Sequence, residues 1–332
     1  MGQEQISVKK FLLEIFLCLV ITLDICACIL LASRDPDSYG SGVITKMDRL
    51  QHAPPPRIVM VAGSSSALNV DSTRIEKEVG LHPVNLGLYA GFGMDFLTQQ
   101  ADSGTRKGDV AVVTLEYDVL YAPPSAQGFI ALEALQADPS LAQFMVSNPH
   151  SLLDIVRQFP GWFSTRIVSL FGKMPIGERF TDQNSLYHRV YRASNFDLYG
   201  DMNGHLKETE RLGPIASSTR LIAASINKDT LASLKRFAGL EKEKGVTVFY
   251  SWPAVPKTLY ENDSKNIEAF DDALIEKLGA DNFLGTQSEF ALEDREFFDS
   301  INHLSGEGRS QFTSKFISLL IRALQKSDSK QD

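Results

Sequence analysis

Cysteine is scarce in this sequence and is confined to its N-terminal end. The chain has 332 residues and only three cysteines, which are Cys18, Cys26 and Cys28. The absence of cysteine beyond residue 28 excludes a disulfide framework in the rest of the chain. The six histidines are scattered and have no paired cysteines beside them, so no metal-ligand spacing is found. We therefore expect neither a metal site nor a cofactor.

Long basic runs are also lacking. Lysine and arginine number 33 against 41 aspartates and glutamates, which gives a formal net charge of −8. This balance argues against a nucleic-acid partner. A hydrophobic content of 43% over 332 residues is enough for one large core or two smaller ones.

One strongly apolar segment stands apart from the otherwise ordinary composition. It runs from Phe11 to Ala32 and follows Lys9 and Lys10. About twenty apolar residues match a helix that crosses a bilayer, whereas a cleavable signal peptide has a shorter apolar region. We predict a retained transmembrane anchor over 11–32. The preceding lysines favour a cytoplasmic N-terminus over residues 1–10, which would place the bulk of the chain in the periplasm or outside the cell.

A carboxylate interrupts the predicted anchor near its middle. A charge at the position of Asp24 costs roughly 2.5 to 3.5 kcal/mol on insertion scales, so it suggests a partner within the membrane. The two open interpretations are pairing with another membrane protein and a protonated or snorkelling carboxyl without a role.

The composition changes after the anchor. Residues 33–56 are rich in proline, glycine, serine and charge, and they end in Pro54, Pro55 and Pro56. This composition predicts a linker that is stiff at its end. The globular domain is then expected over 57–332.

A serine-rich loop follows the first predicted strand of that domain. The uninterrupted apolar run from Ile58 to Ala62 is typical of a strand buried in a parallel sheet, and Gly63 allows a sharp turn. The hydroxyls of residues 64–66 then lie where open α/β sheets bind ligands. A nucleophilic serine needs a base, and Asp299 and His303 near the C-terminus can provide one. A simpler alternative is a turn whose hydroxyls cap the following helix.

Strand and helix patterns alternate along most of the domain. Further strands are predicted at 82–93, 110–115, 245–253 and 282–285, and helices at 72–79, 94–101, 230–244, 264–278 and 308–326. The region 120–217 breaks this alternation and is mostly helical in pattern, which indicates an inserted cap. The pattern predicts an α/β fold, a three-layer sandwich around a mostly parallel five-stranded sheet of the flavodoxin-like kind.

Several polar residues are candidates for a cleft beside the serines. Glu116 and Tyr117 end a predicted buried strand, Asn85 lies in the second predicted strand, and Asp201 and His205 lie in the insertion. The commoner role of such residues is that of a hydrogen-bonded polar group in the core or at the surface.

Three blocks in order carry a resemblance to a known family. Gly63-Ser64-Ser65, Asn85-Leu-Gly-Leu-Tyr-Ala-Gly91 and the Asp299/His303 pair resemble the SGNH (GDSL-type) hydrolase superfamily, in particular its membrane-anchored envelope branch. The resemblance implies that Ser65 is the nucleophile, that His303 is its base and that Asp299 orients His303. It also implies an oxyanion hole formed by the backbone amides of Ser65 and Gly91.

The third block departs from the family pattern. That block normally ends in Gly-Gly-Asn-Asp and its asparagine donates to the oxyanion, but this strand ends in Leu115-Glu116-Tyr117-Asp118. Either Tyr117 supplies the donor or the hole has one donor fewer, which costs about 2.7 to 4 kcal/mol of transition-state stabilisation. The Asp-to-His spacing is four rather than three. Ser64 or Ser66 remains an alternative nucleophile.

The resemblance also implies a function. We expect a serine esterase or O-acyltransferase that acts on a cell-envelope or secreted polysaccharide through an acyl-serine intermediate. Its expected location is the bacterial inner membrane, and its expected partners are the bilayer, a glycan and a multi-pass membrane acyltransferase. The alternative is a catalytically inactive SGNH-fold subunit that binds glycan or holds a membrane acylation or export complex together.

Overall fold

The computed structural model describes residues 8–146, 148–170, 186–209, 211–213, 220–222 and 224–329. The helices are α1 (Val8–Ala32), α2 (Gly42–His52), α3 (Ser64–Asn69), α4 (Ser72–Val79), α5 (Gly93–Asp102), α6 (Tyr117–Tyr121), α7 (Gly128–Ala137), α8 (Ala142–Met145), α9 (Pro149–Leu170), α10 (Leu186–Val190), α11 (Lys228–Lys244), α12 (Lys257–Leu278) and α13 (Gly306–Asp328). The strands are β1 (Arg57–Val61), β2 (His82–Asn85), β3 (Val110–Thr114), β4 (Thr247–Ser251), β5 (Val255–Pro256), β6 (Phe283–Leu284), β7 (Ala291–Leu292), β8 (Phe297–Ser300) and β9 (His303–Leu304).

A five-stranded parallel sheet forms the centre of the domain. Its strand order is β2-β1-β3-β4-β6, and every pairing is parallel. All five residues of β1 are buried, which requires that both faces of the sheet are covered. Among the helices, α13 packs on α3 and α4, and α5 packs on α11. The predicted α/β fold with five parallel strands is confirmed.

The strand order places a topological switch point at the carboxyl ends of β1 and β3. From β1 the chain passes to β2 on one side and then returns to β3 on the other. Ligands of open α/β sheets bind where the chain reverses direction in this way. The serine loop follows β1 and Glu116 follows β3, so both lie at this edge of the sheet.

The segment predicted as a linker is instead part of the folded domain. Residues 42–52 form α2, in which Val43 and Leu50 are buried, and Tyr39 just before it is buried as well. Lys46 is also buried, and its ammonium donates to the carbonyls of Asn85 and Gly200. Burial lowers the pKa of Lys46 to about 7. The linker prediction over 33–56 is wrong because a composition rich in proline, glycine and charge hides the buried face of α2, which includes a lysine hydrogen-bonded to two backbone carbonyls.

The connection between β3 and β4 carries the predicted helical insertion. Helices α7, α8, α9 and α10 occupy it, together with short 3₁₀ turns. Within the predicted range 120–217, residues 147, 171–185, 210 and 214–217 lie outside the described residues. In the part that the structure describes, the insertion holds these helices up to Val190, and the described residues from 191 to 213 are irregular backbone with 3₁₀ turns.

One helix of the described chain is long and apolar enough to cross a membrane. It covers Lys10–Ala32 and has a mean hydropathy of 2.8. Its apolar side chains are exposed along most of its length, so the folded domain does not cover it.

Candidate active site

The serine loop is packed tightly between two neighbouring segments. A side chain added at Gly63 would come within 2.5 Å of Glu116 Oε2 and within 2.8 Å of the Ala90 nitrogen and Cα. Only glycine therefore fits at this turn. Helix α3 begins directly afterwards at Ser64. The three hydroxyls consequently start a helix at the carboxyl end of β1, beside the end of β3.

A short hairpin brings the C-terminal acid and base to this loop. Strands β8 and β9 are antiparallel, and Ser300 lies opposite His303. Asn69, the last residue of α3, donates from Nδ2 to the Asn302 carbonyl at 2.9 Å. The Leu304 amide in turn donates to Asn69 Oδ1 at 2.8 Å. These two hydrogen bonds fix the hairpin against the serine helix.

Ser64, His303 and Asp299 form a continuous hydrogen-bonded relay. Ser64 Oγ lies 2.8 Å from His303 Nε2, and His303 Nδ1 lies 2.8 Å from Asp299 Oδ1. The Tyr191 hydroxyl donates to Asp299 Oδ2 and lies 3.0 Å from His303 Nδ1. Because Nδ1 faces the carboxylate and a phenol oxygen, the ring proton belongs on Nδ1. Nε2 is then free to accept the Ser64 proton.

The electrostatics of the relay keep the acid ionised. Burial alone would raise the pKa of Asp299, but the hydrogen bonds from His303 and Tyr191 and the charge of His303 outweigh it and lower the pKa below 3.8. The side chains of His303 and Asp299 expose 15% and 25% of their surface. The relay is therefore partly exposed to solvent, and Asp299 remains a carboxylate.

The prediction that His303 contacts Ser65 is wrong. Ser65 is buried, and its hydroxyl donates to Glu116 Oε1. Ser66 is buried as well, and its hydroxyl donates to Asn85 Oδ1 at 2.9 Å. Successive residues of a helix point about 100° apart, so only one of the three hydroxyls can face the hairpin. That residue is Ser64, one of the two alternative nucleophiles in the serine loop.

Glu116 supports the serine loop from below and does not line a cleft. It is buried, and burial raises the pKa of its carboxyl, with partial opposition from the Ser65 hydrogen bond and the charge of His303. Its Oε2 fills the space next to Gly63. Glu116 thus holds Ser65 and the turn in place.

Tyr117, a predicted oxyanion donor, is directed away from Ser64. The Tyr117 hydroxyl lies 3.1 Å from both Asp271 Oδ1 and Gln287 Oε1 in the core, and burial raises its pKa. The other predicted donor is the backbone amide of Gly91, and a side chain added at Gly91 would meet Ile130 and Gln127. In the same block, the Ala90 nitrogen borders Gly63.

Asn85 and Asp201 form a buried polar network and not a cleft wall. Asn85 Nδ2 donates to the Ser66 carbonyl and to Asp201 Oδ1, each at 2.8 Å. Asp201 also accepts hydrogen bonds from the amide and hydroxyl of Ser72 and pairs with Arg309 at 2.8 Å. Burial raises the pKa of Asp201, and Arg309 opposes this shift. Both residues therefore stabilise α3 and α4 from behind the site.

His205 is likewise a core residue. Its ring lies against Phe298 at a centroid distance of 5.6 Å. Burial, together with the positive charges of Arg309 and His303, lowers the pKa of His205 to about 3. The imidazole is therefore neutral at physiological pH and packs beneath the strand that carries Asp299.

Sequence reasoning missed two residues that shape the relay. Tyr191 lies in the insertion, far from any recognisable motif, and only the fold brings it to Asp299. Asn69 ends the serine helix, and a helix-terminal asparagine is too common a feature to indicate such a contact. Among the residues that the structure describes, no three His, Cys, Asp or Glu side chains are grouped as metal ligands.

The chain was also compared with known proteins. No protein-family model matches it, and no curated protein sequence is significantly similar to it. Its chemistry is therefore inferred from the geometry of Ser64, His303 and Asp299.

Proposed function

We propose that this protein is a membrane-anchored serine hydrolase or acyltransferase that uses Ser64 as its nucleophile. The observation that carries the proposal is the relay itself, with 2.8 Å between Ser64 Oγ and His303 Nε2 and 2.8 Å between His303 Nδ1 and Asp299 Oδ1. A serine hydroxyl, an imidazole and a carboxylate in this order are the parts of acyl-transfer catalysis.

The reaction follows from the hydrogen bonds. Ser64 Oγ attacks the carbonyl carbon of an ester while His303 Nε2 takes the hydroxyl proton. Asp299 stabilises the resulting imidazolium, and Tyr191 keeps the carboxylate in position. His303 then gives the proton to the leaving alcohol, which breaks the ester bond and leaves acyl-Ser64. Water or a sugar hydroxyl then gives its proton to His303 and attacks the acyl carbon, and His303 returns this proton to Ser64 Oγ as the bond between Ser64 and the acyl group breaks.

The proposed substrate is an acylated polysaccharide of the cell envelope. Helix α1 is suited to anchor the protein in a bilayer, and the resemblance of the serine loop and the Asp299/His303 pair to envelope SGNH hydrolases favours a glycan. A multi-pass membrane acyltransferase is the proposed partner that would supply the acyl group. The bacterial inner membrane is the proposed location, with the relay outside the cytoplasm.

Ester hydrolysis by the full-length protein in mild detergent tests this proposal. With p-nitrophenyl acetate as substrate, Ser64→Ala and His303→Ala are each expected to lower kcat/KM by about 10³-fold or more. Lys242→Ala, which removes an exposed side chain on α11, serves as the matched control and should leave the rate unchanged. Equal rates in wild type and Ser64→Ala would contradict the assignment of the nucleophile.

A second candidate function is a non-catalytic glycan-binding or scaffold subunit. The observation in its favour is that neither polar residue after β3 is directed at the oxyanion position, since Glu116 bonds Ser65 and Tyr117 bonds Asp271. This candidate predicts a folded protein whose Ser64 does not react with an active-site serine probe. Covalent labelling of Ser64 would reject it.

A further inference from the structure

The long insertion helix α9 buries polar residues and exposes apolar ones, which is the reverse of an ordinary surface helix. Its buried residues are Ser151, Trp162 and Arg166. Its exposed large apolar residues are Leu152, Leu153, Val156, Phe159, Ile167 and Leu170, with exposed fractions between 36% and 62%. A helix of a water-soluble domain normally turns its apolar stripe towards the core. Here that stripe points outwards.

Polar contacts hold α9 in this orientation. The Trp162 indole donates to Glu133 Oε1 at 2.8 Å, and Arg166 pairs with the same carboxylate. The Arg166 guanidinium also lies over the Trp162 ring, 4.7 Å from its centroid. At the start of the helix, the amide of Gly128 donates to Asp154 Oδ2 at 2.6 Å. The hydrogen bonds of Trp162 and Asp154 fix the inner face on α7, so the apolar face cannot rotate inwards without breaking them.

The apolar face of α9 lies next to the end of the apolar helix α1. The two helices are in contact, and a cavity of about 240 Å³ lies between them beside α7. Its lining is mostly apolar and includes Leu30 and Leu31 of α1 and Phe159 and Trp162 of α9. The Leu30 carbonyl accepts a hydrogen bond from Gln136 of α7 at 2.8 Å. The position of α9 relative to the end of α1 is therefore fixed.

We propose that α9 lies in the plane of the membrane interface, with its outward apolar face in contact with lipid. If α1 crosses the bilayer, it leaves the hydrocarbon core at about Leu30 to Arg34. Helix α9 lies beside these residues and therefore at the same depth. Interfacial helices bury an apolar face about 5 to 10 Å into the boundary between headgroups and acyl chains. The inference rests on the proposed anchoring by α1 and is independent of the chemistry at Ser64.

Site-specific fluorescence in vesicles tests this inference. The full-length chain, with Cys18, Cys26 and Cys28 replaced by alanine, would carry a single new cysteine labelled with an environment-sensitive dye and be reconstituted into phosphatidylcholine vesicles. Val156→Cys reports the outward face. Gln158→Cys is the matched control, because it is exposed on the same helix and lies about 200° around it from Val156.

The inference predicts a blue-shifted emission at position 156 and quenching by lipids spin-labelled near the headgroup about twofold or more stronger than at position 158. Equal quenching at the two positions would overturn it. An unquenched but blue-shifted dye at position 156 would also overturn it, because a second copy of the chain would then cover the face. A third protein that keeps only Cys26 tests the anchoring by α1 separately from the lipid contact of α9. Strong quenching at Cys26 by mid-chain spin labels, without quenching at position 156, would contradict the lipid contact of α9 and still support the anchor.

Discussion

At the scale of single residues, three consecutive serines have three different environments. Ser64 contacts His303, Ser65 contacts Glu116 and Ser66 contacts Asn85. A motif comparison selects the wrong serine because the choice depends on where helix α3 begins, which a motif does not specify. The separation of roles can be measured one serine at a time.

Ser65→Ala is expected to affect stability and not chemistry. It leaves the buried Glu116 carboxyl without its hydroxyl donor, which lowers the free energy of unfolding by about 1 to 3 kcal/mol. Ser64 is half-buried, so Ser64→Ala should change stability by only about 0.5 kcal/mol while abolishing activity. Urea unfolding and ester hydrolysis of both variants check this prediction. Loss of activity in Ser65→Ala but not in Ser64→Ala would instead assign Ser65 as the nucleophile.

Tyr191→Phe is expected to weaken the fold in a pH-dependent way. The pKa of Asp299 is lowered in the folded protein, so its ionised form adds stability at pH values above its unfolded pKa of 3.8, and this contribution is lost as the pH falls through the folded pKa. Removal of the Tyr191 hydroxyl should therefore cost about 1 kcal/mol near neutral pH and less at strongly acidic pH. Urea unfolding at about pH 7 and pH 3 measures the difference, and an equal loss at both values would contradict this role for Tyr191.

At the scale of elements, the site is an α3 helix and a β8/β9 hairpin joined by one asparagine. Asn69 is buried and supplies both a donor and an acceptor to the hairpin. The sequence predicts each element, because β1 is a continuous apolar run and the acid and base lie just before a terminal amphipathic helix. Their contact is not predictable, because it depends on a single polar side chain that bridges segments more than 230 residues apart.

Asn69→Leu is expected to loosen the hairpin and reduce activity with Ser64 still present. One buried and one partly buried backbone group lose their partners, so the free energy of unfolding should fall by about 2 to 4 kcal/mol. The variant Asn282→Leu is the matched control, because that asparagine is exposed and bonds only within its own turn. Thermal unfolding and ester hydrolysis provide the readouts. A variant as stable and active as wild type would show that the hydrogen bonds from Asn69 to the hairpin are unimportant.

The boundary of the domain illustrates the limit of composition as a guide. Proline, glycine and charge between residues 33 and 56 are typical of a linker, yet Tyr39, Val43 and Leu50 are buried there. The ammonium of Lys46 is satisfied by two backbone carbonyls, so a residue type that normally marks the surface lies in the core.

At the scale of the whole molecule, these contacts make α2 part of the domain that carries the relay. A fragment of residues 33–332 in mild detergent is expected to unfold cooperatively, because it keeps α2. A fragment of residues 57–332 loses the buried side chains of Tyr39, Val43 and Leu50 and should be severely destabilised, since each buried large apolar side chain contributes about 1.5 to 3 kcal/mol. Circular dichroism during heating compares the two. Identical thermal unfolding midpoints for the two fragments would support the interpretation of residues 33–56 as a linker.

The whole-molecule arrangement combines an apolar N-terminal helix, a parallel sheet and a relay at the carboxyl edge of that sheet. The switch point between β1 and β3 follows from the strand order, and Ser64 and His303 meet at the carboxyl end of β1. The overall fold class was predictable from the alternation of strands and helices. The outward orientation of the apolar face of α9 was not predictable, because it depends on the partners of Trp162 and Arg166 within the fold.

Covalent labelling of the full-length protein with a fluorophosphonate probe tests the proposed role of Ser64 most directly. After labelling, peptide mass spectrometry identifies the modified residue within Gly63 to Asn69. We expect the label on Ser64, its loss in Ser64→Ala and in His303→Ala, and its retention in Ser65→Ala. A label on Ser65, or labelling of Ser64 that does not depend on His303, would contradict the proposed relay.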